Sequence, residues 1–230
     1  GAAQIVTSGR SWEPAMVQMN DGEIQMFYSS EALWTPTWSQ QQILMVRSKN
    51  NGSTWSAPQQ VAYTSGKRDG MPVPLLLQGD KGIVFPIESV GSAQSAWMNW
   101  SSIYSKWRYA DGVGSTANTR RWLATTGSIW GGGPYLVQSA AGNTIMSVHD
   151  KDGRGNTDWR YNTMLVTVGN TMAKNFVNVS RPWPGLPVNE GAINNSLFMK
   201  DATHVMAVSS RTYASPSAHS AVYWKQGTIN

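Results

Sequence analysis

The sequence predicts an all-β protein that is built from repeated, four-stranded antiparallel sheets. Three observations support this prediction. A pattern of two apolar strands joined by a turn recurs about every 60 residues, further strand candidates follow the copies, and no segment has the periodicity of an amphipathic helix. Four antiparallel strands in a repeat of this length are typical of a β-propeller blade, whereas a β-sandwich, the alternative, does not predict equal spacing.

The repeated hairpins form the first part of each predicted blade. Each copy has β-forming residues on both sides of a turn that contains Gly, Asn or Asp. The copies cover residues 13–28, 71–88, 133–148 and, in a weaker form, 191–208. The anchors of the four copies are spaced by 58, 62 and 58 residues and are Pro14, Pro72, Pro134 and Ala192.

Two further strand candidates follow the hairpin in the clearest repeats. They cover residues 42–47 and 59–63 in the first repeat, and 161–168 and 176–179 in the third. The sequence therefore predicts a single propeller domain over residues 1–230. Its blade repeats are expected at 12–69, 70–130, 131–189 and 190–230.

The N-terminal segment reads as the outermost strand of a blade. Residues 3–8 resemble residues 60–65, which directly precede the second hairpin. In one arrangement, this strand completes the last blade and closes a ring of four, which leaves no free edge. In the other arrangement, one or two blades lie upstream, and the chain is part of a five- or six-bladed ring. The sequence leaves both arrangements open.

Composition excludes several classes of function. The 230 residues include no Cys, which excludes disulfides, thiolate metal sites and Cys nucleophiles. The net charge is +5, but Lys and Arg are scattered, so we predict no nucleic-acid partner. No apolar run is long enough to span a membrane, and we predict no membrane partner. The three His are far apart in sequence, and we predict neither a metal nor a cofactor.

One turn resembles a known structural motif. The segment Ser48-Lys49-Asn50-Asn51-Gly52-Ser53-Thr54-Trp55 resembles the Asp-box, S-x-D-x-G-x-T-W, of sialidase-like propellers, with Asn50 in place of Asp. In this motif the Asn or Asp side chain binds backbone N–H groups, and Gly takes a positive φ. The motif indicates the fold rather than an activity, and it is expected between the third and fourth strands.

A narrower resemblance comes from the first two hairpins. Trp12-Glu13-Pro14, and Gly70-Met71-Pro72-Val73 leading to a strand that ends in Glu88, resemble segments of the family 93 glycoside hydrolases. Those enzymes are retaining exo-1,5-α-L-arabinanases with six sialidase-like blades. The resemblance implies that Glu13 is the acid/base and Glu88 the nucleophile. Six blades of this size need about 350 residues at about 60 per blade, so this chain is short for the family.

The predicted topology places the two carboxylates together. In an up-and-down blade, the start of strand one and the end of strand two lie on the same face. Glu13 opens strand one of the first repeat, and Glu88 closes strand two of the second repeat. Both are therefore expected at one rim of the propeller, within reach of the ~5–5.5 Å separation of a retaining pair.

Further residues at the same strand ends, and in the loops that follow strand two, are predicted to bind substrate. Tryptophan rings stack on the C–H faces of sugars, and arginines bind carboxylates. Asp150 is predicted to take the place in its hairpin that Glu88 takes in its own. For single residues, blade packing, a strand-end cap and pairing with an acid are the structural alternatives. The predicted residues are Trp12, Trp34, Arg68, Asp69, Trp97, Trp130, His149, Asp150 and Arg211.

The sequence thus predicts a retaining glycoside hydrolase, exo-acting on a plant-type polysaccharide such as 1,5-α-L-arabinan. The alternatives are a non-catalytic carbohydrate-binding propeller, a sialidase and a protein-binding scaffold. A sialidase needs three clustered arginines, and only Arg68 and Arg211 fall on the predicted face. We expect a monomer whose partner is an oligo- or polysaccharide. A secreted or periplasmic location follows from that substrate class, with a signal peptide already removed.

Overall fold

The computed structural model describes residues 9–91, 94–107, 121–124, 129, 131–151, 158–212 and 221–229. Within these residues the secondary structure is almost entirely β-strand, with three single turns of 3-10 helix at Ala32–Trp34, Gln78–Asp80 and Trp159–Tyr161. The strands are β1 Ser11–Gln18, β2 Ile24–Ser30, β3 Gln42–Ser48, β4 Gln59–Tyr63, β5 Arg68–Gly70, β6 Leu75–Leu77, β7 Gly82–Val90, β8 Ser95–Ser101, β9 Arg121–Leu123, β10 Gly132–Gln138, β11 Thr144–Asp150, β12 Thr163–Gly169, β13 Val177–Ser180, β14 Gly191–Met199, β15 His204–Thr212 and β16 Ala221–Thr228.

These strands form antiparallel sheets from consecutive segments of the chain. The first sheet has the order β1-β2-β3-β4, and the third has the order β10-β11-β12-β13. The second has the order β5-β7-β8-β9, with β6 also paired to β7, because the innermost strand is interrupted. The fourth sheet has the order β14-β15-β16. The predicted outer strand at residues 3–8 lies outside the described residues.

The chain groups into two compact units, each with its own core. The first unit comprises residues 1–93 and 97–122, and the second comprises 94–96 and 123–230. In the first, the rings of Phe27, Phe85 and Trp107 pack with centroids 4.9–5.9 Å apart. In the second, residues such as Ile145, Met164 and Leu197 are buried together. Burial of each large apolar side chain contributes about 1.5–3 kcal/mol. No helix among the described residues is long and apolar enough to cross a membrane.

An irregularity recurs in the innermost strand of every sheet. One residue takes a left-handed backbone conformation there: Glu13 at φ 56°, Met71 at φ 55°, Gly133 at φ 49° and Asn194 at φ 57°. The strand pairing shifts across Glu13, Gly133 and Asn194, as in a β-bulge. The residues after these positions are Pro14, Pro72, Pro134 and Asn195.

The fourth anchor is therefore Asn195, and the predicted anchor Ala192 is wrong by three residues. The prediction followed apolar character, and Ala192 is the small apolar residue that starts this hairpin. In the structure, Ala192 lies before the bulge and pairs directly with Arg211. A bulge adds a residue without changing the apolar pattern, so its position is not visible in hydrophobicity alone.

The Asp-box-like turn lies between β3 and β4. Asn50 Oδ1 accepts the Thr54 N–H at 2.9 Å, and Ser48 Oγ accepts the Gly52 N–H at 2.9 Å. Gly52 has φ 83°, which a glycine adopts without strain. Asn50 thus makes the backbone contact that an aspartate makes in the motif, since either side chain offers a carbonyl-type oxygen.

A second turn of this kind lies between β12 and β13, at the equivalent place in the third sheet. Asn170 Oδ1 accepts the N–H groups of Met172 at 2.9 Å and Lys174 at 3.0 Å. The sequence does not reveal this turn, because Val168, Met172 and Asn175 stand at the Ser, Gly and Trp positions of the motif. The two turns share the asparagine, its hydrogen bond to the i+4 N–H and a backbone hydrogen bond from the i+3 N–H to the asparagine carbonyl.

Candidate active site

Glu13 lies on the bulge of β1, and the bulge aims its carboxylate at the second sheet. Glu13 Oε2 accepts the Ser29 hydroxyl at 3.0 Å and the Met71 N–H at 2.7 Å. Its left-handed conformation costs a non-glycine residue about 1–2 kcal/mol. Strain of this kind, and bulges that redirect a side chain, are enriched at functional sites. Glu13 is exposed to solvent.

Glu88 is directed towards the same place by the pairing of β5 with β7. Glu88 is the direct cross-strand partner of Gly70. Side chains of opposed residues share one face of a sheet, with Cβ atoms about 4.5–5.5 Å apart. A Cβ atom on Gly70 would lie 3.3 Å from Glu13 Oε2. Glu88 therefore leaves its strand on the face that looks towards the Glu13 carboxylate, and the missing side chain of Gly70 lets the oxygen atoms of Glu13 and Gln41 approach β5 closely.

Asp69 supports this arrangement from the other face of β5. Asp69 is fully buried, and its two oxygens accept the hydroxyls of Ser89 at 2.6 Å and Thr64 at 2.9 Å. Because Ser89 follows Glu88 in β7, these bonds hold the strand that carries Glu88. Asp69 thus contacts the strand that carries Glu88, whereas the sequence predicts a direct contact with substrate.

Arg68 belongs to an ion-pair cluster around Glu31. The buried Glu31 carboxylate accepts hydrogen bonds from Arg68 Nη2 and, at 3.5 Å, from Arg10 Nη1. Burial raises the pKa of Glu31, but the hydrogen bond and charge of Arg68, with Trp12 and Arg10, outweigh it and hold this pKa below its ordinary value. Arg68 Nη1 also donates to the carbonyl of Trp38 at 2.6 Å.

The predicted tryptophans divide into exposed and packed side chains. Trp12 is 48% exposed and directly precedes Glu13, so its ring is open to a ligand. Trp34 is half-buried and stacks on Tyr63 with ring centroids 5.4 Å apart. Trp97 is partly buried and packs against the core of the first unit, which matches the packing alternative. Trp130 lies outside the described residues.

His149, not Asp150, occupies the position in its hairpin that Glu88 occupies in the second sheet. Gly132 pairs with His149 directly before the bulge, as Gly70 pairs with Glu88. Asp150 is one residue further along, buried and in register with Thr163. A shift of one residue moves a side chain to the opposite face of a sheet. The predicted equivalence of Asp150 and Glu88 is therefore wrong.

Arg211 is paired with an acid in the second unit. Its Nε donates to Glu190 Oε2 at 2.7 Å, and its guanidinium lies over the Tyr223 ring, 5.3 Å from the centroid. This pairing is the structural alternative that the sequence analysis considered for Arg211. Arg211 thus forms an ion pair with Glu190, as Arg68 does with Glu31.

The burial of His149 predicts that stability depends on pH. Burial lowers the pKa of His149 from 6.5 to about 4, so between these values the unfolded chain binds a proton that the folded chain does not. The free energy of unfolding should therefore fall as the pH decreases, by about 2 kcal/mol between about pH 7.5 and about pH 5. Urea unfolding at both pH values measures this change. His149→Gln should show a smaller change, and an equal change in both proteins would contradict the assignment.

Comparisons with known proteins agree with this fold. Residues 1–113 match the BNR repeat-like domain family. A protein of unknown function from Dyadobacter fermentans DSM 18053 superimposes with a TM-score of 0.71 at 12% identity, over 96% of this chain and 54% of its own. The chain thus has the fold of a β-propeller, as the sequence predicts. No curated protein sequence matches it.

Two similar structures are of an arabinanase and an arabinofuranosidase. The α-L-arabinanase of Penicillium chrysogenum, complexed with arabinobiose, has a TM-score of 0.67 at 13% identity over 95% of this chain and 63% of its own. The GH93 α-L-arabinofuranosidase of Fusarium graminearum, also with arabinobiose, has a TM-score of 0.64 at 14% identity, over 94% and 62%. The chain thus spans about three-fifths of the length of these enzymes.

Proposed function

We propose that this protein is a retaining glycoside hydrolase, exo-acting on a plant-type polysaccharide such as 1,5-α-L-arabinan. One observation carries the proposal: Glu13 Oε2 lies 3.3 Å from the Cβ position above Gly70, whose cross-strand partner is Glu88. Two carboxylates from neighbouring inner strands are therefore directed towards one place beside Gly70. A retaining mechanism requires two such groups about 5–5.5 Å apart.

The chemistry assigns one role to each carboxylate. Glu88 attacks the anomeric carbon as the bond to the leaving oxygen breaks, and Glu13 gives that oxygen its proton. Water then hydrolyses the glycosyl–Glu88 ester while Glu13 takes a proton back. Glu13 Oε2 accepts the Met71 N–H, which can only donate, so the transferred proton belongs on Glu13 Oε1.

The ligands of the similar enzymes support this proposal. The two solved complexes with arabinobiose show that the fold accommodates a short arabinan-type saccharide. The sialidase alternative has less support, since Arg68 and Arg211 are paired with Glu31 and Glu190. We further propose one propeller domain that acts as a secreted or periplasmic monomer, because polysaccharides of this kind are extracellular.

A hydrolysis screen tests the proposal. Wild type and Glu13→Gln are incubated with linear arabinan, other plant glycans and a sialoside. We expect release of a monosaccharide or short saccharide from a plant glycan by wild type, and a loss of about 10²-fold or more in Glu13→Gln. Binding without turnover in wild type would support the non-catalytic propeller. Release of sialic acid alone would support the sialidase.

A further inference from the structure

A cleft lies between the third and fourth sheets, and all the residues that line it belong to the second unit. Residues of β11, β12 and β13 form one wall, and residues of β15 and β16 form the other. Its volume is about 360 Å³, which is within the range of small-molecule sites, about 300–1,000 Å³. The cleft is therefore large enough to hold a small ligand.

The floor of the cleft is apolar. Ile145 and Val166 line it from the third sheet, and Val205 and Ala207 line it from the fourth. All four side chains are buried and belong to the core of the second unit, so the cleft is continuous with that core. An apolar group that covers this floor removes further apolar surface from water, which favours binding.

The outer strands add polar side chains to the same two walls. Ser180 in β13 is the cross-strand partner of Val166, and Lys225 in β16 is the cross-strand partner of Ala207. Because cross-strand partners share one face of a sheet, Ser180 and Lys225 continue the two walls outwards from the apolar floor. Both residues are exposed, so they form a polar rim at the mouth of the cleft.

The rim is positively charged. Arg181 and Lys225 both line the cleft and are both exposed, one at the end of β13 and the other in β16. Among the described residues that line the cleft, none is Asp or Glu. The lining thus carries two positive charges and no negative one. A carboxylate at the rim would be attracted by both cations, and it can accept hydrogen bonds from each of them.

The shape of the cleft favours a flat ligand. Its walls are two sheet faces, and three of the four floor residues are the β-branched Ile145, Val166 and Val205. Such side chains are stiff at χ1, so they keep the walls apart at a fixed width. A planar ring fits between two such walls, and it loses less conformational entropy on binding than a flexible alkyl chain does.

We propose that this cleft binds a small aromatic carboxylate. The ring covers the apolar floor, and the carboxylate accepts hydrogen bonds from Lys225 and Arg181 at the rim. The inference goes beyond the proposed function and does not rest on it, because Glu13 and Glu88 belong to the first unit and the cleft to the second. It assigns to the second unit a ligand that is not a saccharide.

Titrations followed by ligand-observed NMR test the inference, with cinnamate as the probe and cinnamamide as its neutral counterpart. The salt concentration is about 0.15 M, which screens non-specific attraction. We expect saturable binding of cinnamate with a Kd in the millimolar range or tighter, as for a ligand of about this size. Cinnamate should bind at least about 5-fold more tightly than cinnamamide, because only the carboxylate is charged. Lys225→Gln should remove most of this preference, and Lys225→Arg should retain it.

A second variant tests the position of the ligand. In Ser180→Trp the indole would fill the mouth of the cleft, so cinnamate and cinnamamide should both lose binding. Trp is favoured in strands and Ser180 is exposed, so this variant should fold, and Lys225→Gln tests the inference independently of it. Lys49→Gln is the matched control, since it removes the same charge from the exposed turn between β3 and β4, and it should bind cinnamate as wild type does.

Four results would overturn the inference. They are the absence of saturable cinnamate binding, equal affinity for cinnamate and cinnamamide, an equal loss in Lys49→Gln and Lys225→Gln, and tighter binding of octanoate than of cinnamate. None of them bears on hydrolysis that depends on Glu88, so the proposed function would stand or fall separately.

Discussion

Glu88→Gln should abolish turnover while the protein remains folded and still binds saccharide. Gln has nearly the shape of Glu but cannot form the glycosyl ester, so the loss should be on the order of 10³-fold or more in kcat. Binding should persist because the other groups of the candidate site, such as Glu13 and Trp12, are unchanged. Steady-state kinetics on the best substrate of the hydrolysis screen, together with calorimetric titration, measure both quantities.

Chemical rescue distinguishes a nucleophile from a residue that merely positions the site. In Glu88→Gly, azide can occupy the space of the lost carboxylate and attack the anomeric carbon, giving a glycosyl azide of inverted configuration. In Glu13→Gly, azide should instead intercept the intermediate on Glu88 and give a retained product. An unchanged rate in Glu88→Gln, or rescue with the opposite stereochemistry, contradicts the assignment.

The control for Glu88 lies at the other end of the same hairpin. Asp80 is exposed in the turn before β7, and its Oδ1 accepts the Asn20 amide at 3.0 Å. Asp80→Asn keeps an acceptor and removes one carboxylate from the same sheet. Its kcat should stay within about 2-fold of wild type, since it lies seven or more residues away along the strand pair.

Gly70→Ala should slow turnover by the proposed hydrolase without destabilising the protein. The added Cβ would lie 3.3 Å from both Glu13 Oε2 and Gln41 Oε1, which is closer than an ordinary van der Waals contact. The Glu13 carboxylate must then give way by a few tenths of an ångström. Because misplacement of a reacting group by about 1 Å can cost about 10²-fold in rate, we expect a loss of up to about 10-fold in kcat.

The stability of Gly70→Ala separates this effect from a folding defect. Ala is favoured over Gly inside a strand, so the free energy of unfolding should be equal to or slightly above that of wild type. Gly227→Ala is the matched control in β16, where the added Cβ would lie an ordinary 3.6 Å from Val205 Cγ1. Its rate should be unchanged. A fully active Gly70→Ala would mean that the space above Gly70 is not used.

The sequence was sufficient for the local structure of the first two repeats. Apolar alternation placed the hairpins, and the chemistry of Asn50 and Gly52 identified the turn between β3 and β4. Apolar alternation and turn chemistry depend on a few residues that are neighbours in the chain. They can therefore be recognised in the sequence without knowledge of the tertiary contacts. The turn at Asn170 makes the same kind of backbone bond, but it was missed because other residues stand at the Ser, Gly and Trp positions of the motif.

The roles of single polar residues could not be predicted from the sequence in the same way. Asp69 and Arg68 are adjacent in β5, and sequence reasoning treated both as exposed ligands. Alternation in the strand buries Asp69 between Ser89 and Thr64 and leaves Arg68 partly exposed beside Glu31. Which neighbour lies opposite a strand residue depends on register, and register depends on bulges that leave the apolar pattern unchanged.

By itself, the sequence determined the class of fold, the repeat and the two acidic residues worth testing, because alternation, turn chemistry and motif spacing are local properties of the chain. Only the tertiary structure decided that the Glu13 carboxylate accepts the Met71 N–H, that Gly70 pairs with Glu88 beside that carboxylate, and that His149 rather than Asp150 holds the matching position in the third sheet. The reason is physical: each of these facts joins residues far apart in sequence, through backbone pairings that a one-residue shift would reverse.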